Sequence, residues 1–392
     1  MNPSAGSPWH RVGTIDGLKQ RELQSLIIDG QPVALSYKDG RFGAISGNCP
    51  HAGGPLGDGQ LAGENIRCPW HGWSFNRCNG TSGLGYPIAV PSFELKEEDG
   101  ALWVRFDTAT PAQVLQREPH PLTRPVRREP GPVRVFGIST TGMDAEAPRY
   151  STSDDLLAVA LDHARESLGC ETKLIKLAEL KFRHCEGYYS KAAPACTWPC
   201  SITQMDAEDG LEPVYEALVH WADVVLVATP IRWGAASSLY FKLAERMNCI
   251  QNQLTLNDTA LIQNKVASFI ITGGQDNVQG VAGQMLAFFS ELGFTFPQFP
   301  FVAHSRGWTA EDMENNVRFV QTNEELRQGT RELATRAVAT ARALLDAADQ
   351  PKHVARGGRK ACGTAATAGE AESPLSLNPQ LSTLNHPETS PD

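Results

Sequence analysis

Two short segments each set one cysteine and one histidine a few positions apart among glycines and prolines. They are Cys49-Pro50-His51 within GNCPHAGGPLGDG and Cys68-Pro69-Trp70-His71 within IRCPWHGWSFN. Gly and Pro make both segments turns, so four metal-binding donors stand on two loops that the surrounding chain has to hold in place. The nine cysteines are odd in number and unevenly spread, which fits metal ligation or free thiols better than a disulfide framework.

A two-cysteine, two-histidine set suits either tetrahedral zinc or a [2Fe–2S] cluster in which two histidines replace two cysteines on one iron. Zinc fingers commonly pair like with like in C-x₂₋₄-C and H-x₃₋₅-H units, whereas each loop here offers one thiolate and one imidazole. With C-P-H-x-G, C-P-W-H-G-W, the following Gly80 and the late strand ALWVRF, residues 8–107 strongly resemble a Rieske ferredoxin domain. The resemblance implies that Cys49 and Cys68 bind the inner iron, and that His51 and His71 bind an outer, solvent-exposed iron through which electrons leave. Ala52, Gly53 and Trp70 occupy the places where high-potential members carry a loop-bridging disulfide. The potential is therefore expected at the low end of the roughly −150 to +300 mV range, suited to accepting electrons from a flavin. Cys78 matches no ligand position and reads as a bystander.

Around these loops, apolar runs at 25–28, 33–37, 42–45 and 102–106 separated by Gly, Asn and Asp turns predict a small all-β unit over 1–107. Residues 107–132 then bring six prolines and four arginines without an apolar period, a semi-extended linker (108–132) that would tether two domains without locking their orientation. From Val133 the pattern becomes strand, loop and helix, repeated. VRVFGIS is followed by a helical period through Leu156, Leu157, Ala160, Leu161 and Leu168, then by TKLIKLAEL, DVVLVATP, VASFIIT and FPFVAHS, and by a closing helical segment from Glu311 to Asp346. Alternating βα units mean a doubly wound parallel sheet with ligands at the carboxyl ends of its strands. Residues 349–392 are poor in large apolar residues and read as a disordered tail.

This second unit has neither G-x-G-x-x-G after a strand nor a G-x-x-x-x-G-K-[ST] loop. Ser151, Thr152 and Ser153 precede a helix, where hydroxyls and backbone N–H groups hold a phosphate without a lysine, or simply cap the helix. ATPIRWGAASS and TGGQDN follow the third and fourth strands. With A-D-V-V-L-V-A-T-P, the W-G pair, Lys242 and Arg246 in K-x-x-x-R, and the T-G-G loop, residues 133–348 resemble the NAD(P)H-dependent FMN reductase family on a flavodoxin-like fold. The resemblance implies Ser139, Ser151, Thr152 and Ser153 on the FMN phosphate. Thr229, Pro230, Ile231, Arg232, Trp233 and Gly234, with Gly273, Gly274, Gln275 and Asp276, would line the isoalloxazine. Arg232 stands where that family often has tyrosine; it either stacks on or charges the ring, or forms a surface ion pair. The resemblance also implies a homo-oligomer.

RHCEGYYSKAAPACTWPCSITQMD carries Cys185, Cys196 and Cys200. It reads as a Cys-rich excursion near the flavin, with a metal site or a Cys196–Cys200 redox pair as the other readings. Cys170 and Cys249 read as buried apolar residues. His163, His184, His220 and His304 form no closely spaced pair with an acidic ligand, so the second domain is not expected to be an oxygenase with a two-His-one-carboxylate iron. A net charge of −9 and the lack of an 18-residue apolar run argue against nucleic-acid and membrane partners. The N-terminus shows no signal-peptide pattern, so a cytoplasmic setting is expected. Joined, the two resemblances imply an oxidoreductase passing electrons from NAD(P)H through FMN to the [2Fe–2S] cluster and on to an acceptor, such as an oxygenase protein. The alternatives are a quinone or nitro-compound reductase with an accessory cluster, and a redox sensor.

Overall fold

The computed structural model describes residues 8–82, 88–106, 119–144, 146–273, 277–305 and 309–348. The first domain is built from strands β1 (His10–Thr14), β2 (Leu23–Ile28), β3 (Gln31–Lys38), β4 (Arg41–Ser46), β5 (Gln60–Ala62), β6 (Asn65–Arg67), β7 (Ser74–Asn76), β8 (Glu94–Glu98) and β9 (Ala101–Arg105), with one helical turn α1 (Ile15–Leu18). They form three antiparallel three-stranded sheets, ordered β1-β9-β8, β2-β3-β4 and β5-β6-β7. Asp-Gly pairs turn three of the hairpins, at Asp29-Gly30, Asp39-Gly40 and Asp99-Gly100, each with both residues at positive φ, the conformation that matches strand twist. Ile45, Leu56, Ile66, Phe75 and Val90 pack around Cys49 and Cys68 in one small core.

The second domain carries a five-stranded sheet in the order β11-β10-β12-β13-β14. Its strands are β10 (Arg134–Ser139), β11 (Glu171–Lys176), β12 (Val224–Pro230), β13 (Val266–Gly273) and β14 (Phe301–Ser305), all parallel. This is the flavodoxin-like order. β12 and β13 are apolar almost throughout because helices cover both of their faces. On one face lie α2 (Thr152–Glu166), α8 (Ala310–Thr322) and α9 (Glu324–Ala348); α2 and α9 close a core of Leu156, Leu157, Ala160, Leu333, Ala337 and Val338. On the other lie α3 (Ser201–Met205), α4 (Glu212–Tyr215), α5 (Ser238–Arg246), α6 (Asn248–Asn257) and α7 (Val278–Leu292), over a larger core with Phe136, Tyr215, Tyr240 and Phe289.

Three details depart from the sequence reading. The closing helical segment is two helices, broken at Asn323, whose extended ψ of 102° ends α8 and whose Oδ1 accepts from Leu326 N at 2.7 Å to start α9. Residues 120–132 of the Pro/Arg-rich stretch are bound to the second domain. Leu122 is buried in its core, Arg128 forks onto Asp223 at 2.9 and 3.1 Å, and the Leu122 carbonyl accepts from Trp198 Nε1 at 3.1 Å. Third, the two domains belong to one compact unit and touch directly. The expected tail from residue 349 lies outside the described residues, as do Gly274, Gln275 and Asp276. Among the described residues no helix is long and apolar enough to cross a membrane.

Candidate metal centre and flavin site

Both Cys/His loops use the same turn. Gly53 N donates to the Cys49 carbonyl at 2.8 Å and Gly72 N to the Cys68 carbonyl at 3.1 Å. Each glycine lies four residues after its cysteine with φ of +78° and +76°, a conformation costly for any residue with a Cβ. The turns leave the intervening backbone N–H groups facing the sulfurs and project His51 and His71 to a common edge. There the two Nδ1 atoms face each other at 3.0 Å, and His51 stacks on Trp73 with ring centroids 4.7 Å apart.

The four donors sort into two pairs. The Cys49 and Cys68 thiols are hydrogen-bonded to each other in the buried core. That bond, with further help from the Trp70 and His71 N–H groups, brings Cys68 down to about 6 against the cost of burial; the same bond and burial push Cys49 up. Thiolate is the form that ligates. One sulfur pair and one imidazole pair fit the two irons of a binuclear cluster. Room for it depends on Gly54, where a Cβ would lie 2.8 Å from Cys68 Sγ.

His71 is engaged on its far side. Its Nε2 lies 2.6 Å from the Ala195 carbonyl; a carbonyl can only accept, so the proton sits on Nε2 and the Nδ1 lone pair is left for metal. The Tyr188 ring meets the His71 ring edge-on at 4.6 Å, Lys191 Nζ donates to the Trp70 carbonyl at 3.1 Å, and Trp73 Nε1 donates to Met205 Sδ at 3.3 Å. All four partners come from the second domain. The sequence reading places the His pair in solvent; instead the Cys-rich excursion covers His71. Asn252 on α6 holds that excursion, its Nδ2 donating to the Ala193 and Cys196 carbonyls at 3.0 and 3.2 Å.

At the carboxyl end of β10 the expected hydroxyls do converge. Thr141 Oγ1 lies 3.1 Å from Ser151 Oγ and 2.8 Å from Ser153 Oγ, and Ser139 Oγ donates to Asp154 Oδ1 at 2.6 Å. Ser151 caps α2, accepting from Asp154 N, while Thr152 Oγ1 reaches Thr272 Oγ1 at 2.7 Å. Thr141 and Asp154 are members the sequence reading missed. Asp154 N goes to the Ser151 hydroxyl and Asp155 N to the Ser151 carbonyl; the N–H groups before them, at the start of the helix, are the ones a phosphate can use.

The loops after β12 and β13 are tied together. Ile231 N donates to the Thr272 carbonyl at 2.7 Å, and Asn277 Nδ2 to the Gly234 carbonyl at 2.6 Å. Thr229 is buried, accepting from Ser237 N, and Ile231 packs on Gly273. Arg232 and Ala235 exchange backbone bonds around a tight turn in which Trp233 (φ +52°) and Gly234 (φ +72°) are both left-handed, leaving Trp233 92% exposed. The residues grouped by the sequence reading therefore divide into packing positions (Thr229, Ile231) and surface positions (Arg232, Trp233). Beside Gly273, the buried Asn316 donates Nδ2 to the Gly273 carbonyl at 3.3 Å, and its Oδ1 has no partner among the described residues. An acceptor left open next to this loop fits a ligand bearing N–H groups, as an isoalloxazine does. Arg246, matched in sequence to K-x-x-x-R, is not at this site; it is buried against Asp209.

Comparison with known proteins agrees with both halves of this geometry. Residues 8–94 match the family described as Rieske [2Fe-2S] domain and residues 145–309 the family described as NADPH-dependent FMN reductase. Curated relatives include the 4beta-methylsterol monooxygenase of Methylococcus capsulatus, 30% identical over 26% of this chain and 30% of its own length. Another is the oxidoreductase NdmD of Pseudomonas putida, 29% identical over 26% of this chain and 19% of its own. The chain thus spans less than a third of these relatives. Among solved structures, RosB with a bound riboflavin-phosphate intermediate aligns to 62% of this chain and 100% of its own, at 18% identity and a TM-score of 0.43. The ferredoxin of carbazole 1,9a-dioxygenase from Nocardioides aromaticivorans aligns to 26% of this chain and 98% of its own, at 26% identity and a TM-score of 0.24.

Proposed function

We propose that this chain, a Rieske [2Fe-2S] domain joined to an NADPH-dependent FMN reductase domain, passes electrons between its two centres within one polypeptide and hands them to a separate redox acceptor. The domains make it an NAD(P)H-dependent FMN and iron–sulfur oxidoreductase. When bound, FMN would take a hydride from NAD(P)H and the cluster would carry single electrons onward, the conversion for which flavins are used.

In this reading Cys49 and Cys68 hold one iron and His51 and His71 the other, through Nδ1. Ser139, Thr141 and Ser151–Ser153 receive the FMN phosphate, and the loops at 229–234 and 273–276 receive the ring. The exposed Trp233 supports the expectation that a second copy of the chain completes that pocket. The single observation that carries the proposal is the docking of His71 on the second domain through the Ala195 carbonyl and Tyr188. That contact supports the reading: it leaves the His71 Nδ1 free to serve as an iron ligand, and it sets His71 against the domain assigned to flavin.

Beside the docked edge a cleft of about 380 Å³, lined in part by Arg67, Pro69, His71, Glu186, Tyr188 and Lys191, opens to solvent. An acceptor can approach His71 there while the domains stay together. Relatives named as oxygenase components, such as that of dicamba O-demethylase from Stenotrophomonas maltophilia, make an oxygenase the acceptor class we propose.

The test is an anaerobic titration of purified holoprotein with NADPH and then NADH, with flavin absorbance and cluster EPR followed together. We expect flavin bleaching and then a Rieske-type signal. Flavin bleaching with a cluster that stays oxidised would overturn the reading and favour a quinone or nitro-compound reductase.

A further inference from the structure

The second domain carries a cavity of about 450 Å³ at the opposite end of its sheet from the hydroxyl ring. Its walls come from segments that precede strands: the Pro/Arg-rich stretch before β10, His220 to Asp223 before β12, and Asn264 and Lys265 before β13. The end of α9 adds Leu345 and Ala348. β12 is seven residues long, which at about 3.3 Å per residue puts the cavity on the order of 20 Å from the loops assigned to flavin. Ligands of parallel sheets sit at the carboxyl ends of the strands, so flavin and its nucleotide do not account for this cavity.

Its charges do not balance internally. Arg128 and Asp223 satisfy each other: Arg128 Nε and Nη2 donate to the two carboxylate oxygens at 2.9 and 3.1 Å, and Arg128 also donates to the Glu129, Gly131 and Pro132 carbonyls. Asp223 accepts from Arg134 N as well, and no other acid lines the cavity among the described residues. Two cations remain. Lys265 is 7% exposed, and one of its three N–H groups goes to the Ala222 carbonyl; no carboxylate of the described residues lies within 4.0 Å of its Nζ. Arg127 is exposed, and its guanidinium has no partner among the described residues. His220 is not a third cation, because burial lowers it and its Nε2 is spent on the Leu122 carbonyl at 3.1 Å. The carboxyl end of α9 contributes a partial negative charge of about one half, against two whole positive ones.

Burial disfavours the Lys265 ammonium; Asp223 opposes that without touching it, and Arg128 and Arg134 add to it. An ammonium so placed is costly unless an anion comes to it. Val126, Pro130, Trp221 and Leu345 make an apolar part of the wall. A free phosphate has no use for such a wall, whereas a carboxylic acid with an apolar body fills both parts at once. We infer that this cavity is a binding site for a small organic carboxylate with a flat apolar body, its carboxylate paired with Lys265 and Arg127 and its body against the apolar wall. Arg127 supplies the planar fork that matches two carboxylate oxygens, and Lys265 the point charge. The site is separate from both redox centres and does not depend on electrons passing between them.

The test is a fluorine NMR titration of the full-length holoprotein with 4-fluorobenzoate, using 4-fluorobenzamide as its neutral counterpart. We expect saturable broadening of the benzoate resonance and none of the benzamide resonance over the same concentrations. Lys265→Met removes a buried charged donor and should weaken benzoate binding at least about tenfold. Arg127→Gln removes an exposed one and should weaken it about threefold; because Arg127 is exposed, this variant keeps the fold whatever Lys265→Met does. Ala348→Trp, which fills the cavity and keeps every charge, should abolish binding. Absence of saturable benzoate binding, equal binding of the benzamide, or benzoate binding unmoved by Arg127→Gln or by Ala348→Trp would overturn the proposal. So would displacement of benzoate by an equal concentration of inorganic phosphate, the mark of an anion site indifferent to the apolar wall.

Discussion

Replacing Asp209 with asparagine tests the buried pair on which the second domain's far core rests. Both side chains are 0% exposed, and the carboxylate accepts four bonds: two from Arg246, one from Thr203 Oγ1 and one from Arg183 N. Asparagine keeps one acceptor oxygen and turns an NH₂ toward donors, leaving Arg246 charged and uncompensated. Breaking a buried pair from one side costs about 3–5 kcal/mol. For a domain of roughly 150–250 residues, at about 2–4 °C per kcal/mol, the midpoint should drop by around 10 °C. Calorimetry or urea melts of the holoprotein give the number directly. The pH dependence adds a check. Burial alone would raise Asp209, but the Arg246, Arg183 and Thr203 hydrogen bonds outweigh it and hold the carboxyl below its usual range. A depressed folded value gives stability that is present above the unfolded value, about 3.9, and lost as pH falls through the folded one. The gap between wild type and variant should therefore be flat from neutral pH down to about 4 and shrink only below it. A loss under about 1 kcal/mol, or a gap that closes near pH 6, would refute a dry, charged pair, since only exposed pairs contribute so little.

Three further outcomes are expected. Tyr188→Ala removes the ring edge on His71, an aromatic contact of about 1 kcal/mol; stopped-flow should show flavin reduction unchanged and cluster reduction slowed about fivefold, and equal effects on both would discount the docking. Thr141→Val deletes the hydroxyl that meets Ser151, Ser153 and Asp154. With hydrogen bonds to charged groups contributing about 1.5–3 kcal/mol, fluorescence titration should show FMN binding at least about tenfold weaker. Lys265→Met concerns a buried ammonium that burial lowers to about 8. Because the folded value lies below the unfolded one, about 10.4, the wild type should gain stability as pH rises between them, and the variant should show no such gain in melts across that window.

The first domain was legible because its function is carried by local turns. Cys49 to Gly53 and Cys68 to Gly72 each close their own loop, so a few adjacent letters determine where the donors point. The parallel sheet was legible for a similar reason: β12 and β13 are apolar on both faces and announce burial without reference to anything distant. Arg246 shows the limit. In sequence it reads as one end of K-x-x-x-R near a flavin loop, yet its partner Asp209 lies 37 positions upstream, and no periodicity records such a pairing. Cys249, by contrast, was read as a buried apolar residue and is one. Asn323 was missed because a single polar residue inside a helical period looks like surface until its side chain is seen capping Leu326.

The Pro/Arg-rich stretch shows why composition alone misjudges how tightly two domains are coupled. Proline removes N–H donors and arginine favours solvent, so the stretch reads as a tether. In the fold, though, Pro121 starts a short turn that drives Leu122 into the core, and Arg128 replaces water with Asp223. Residues 120–132 are thus fastened to the second domain. The contact of His71 with Ala195 forms within one chain, at high effective concentration, together with one ring edge, one lysine and the Trp73–Met205 hydrogen bond. Replacing Tyr188 takes one of these contacts away from His71.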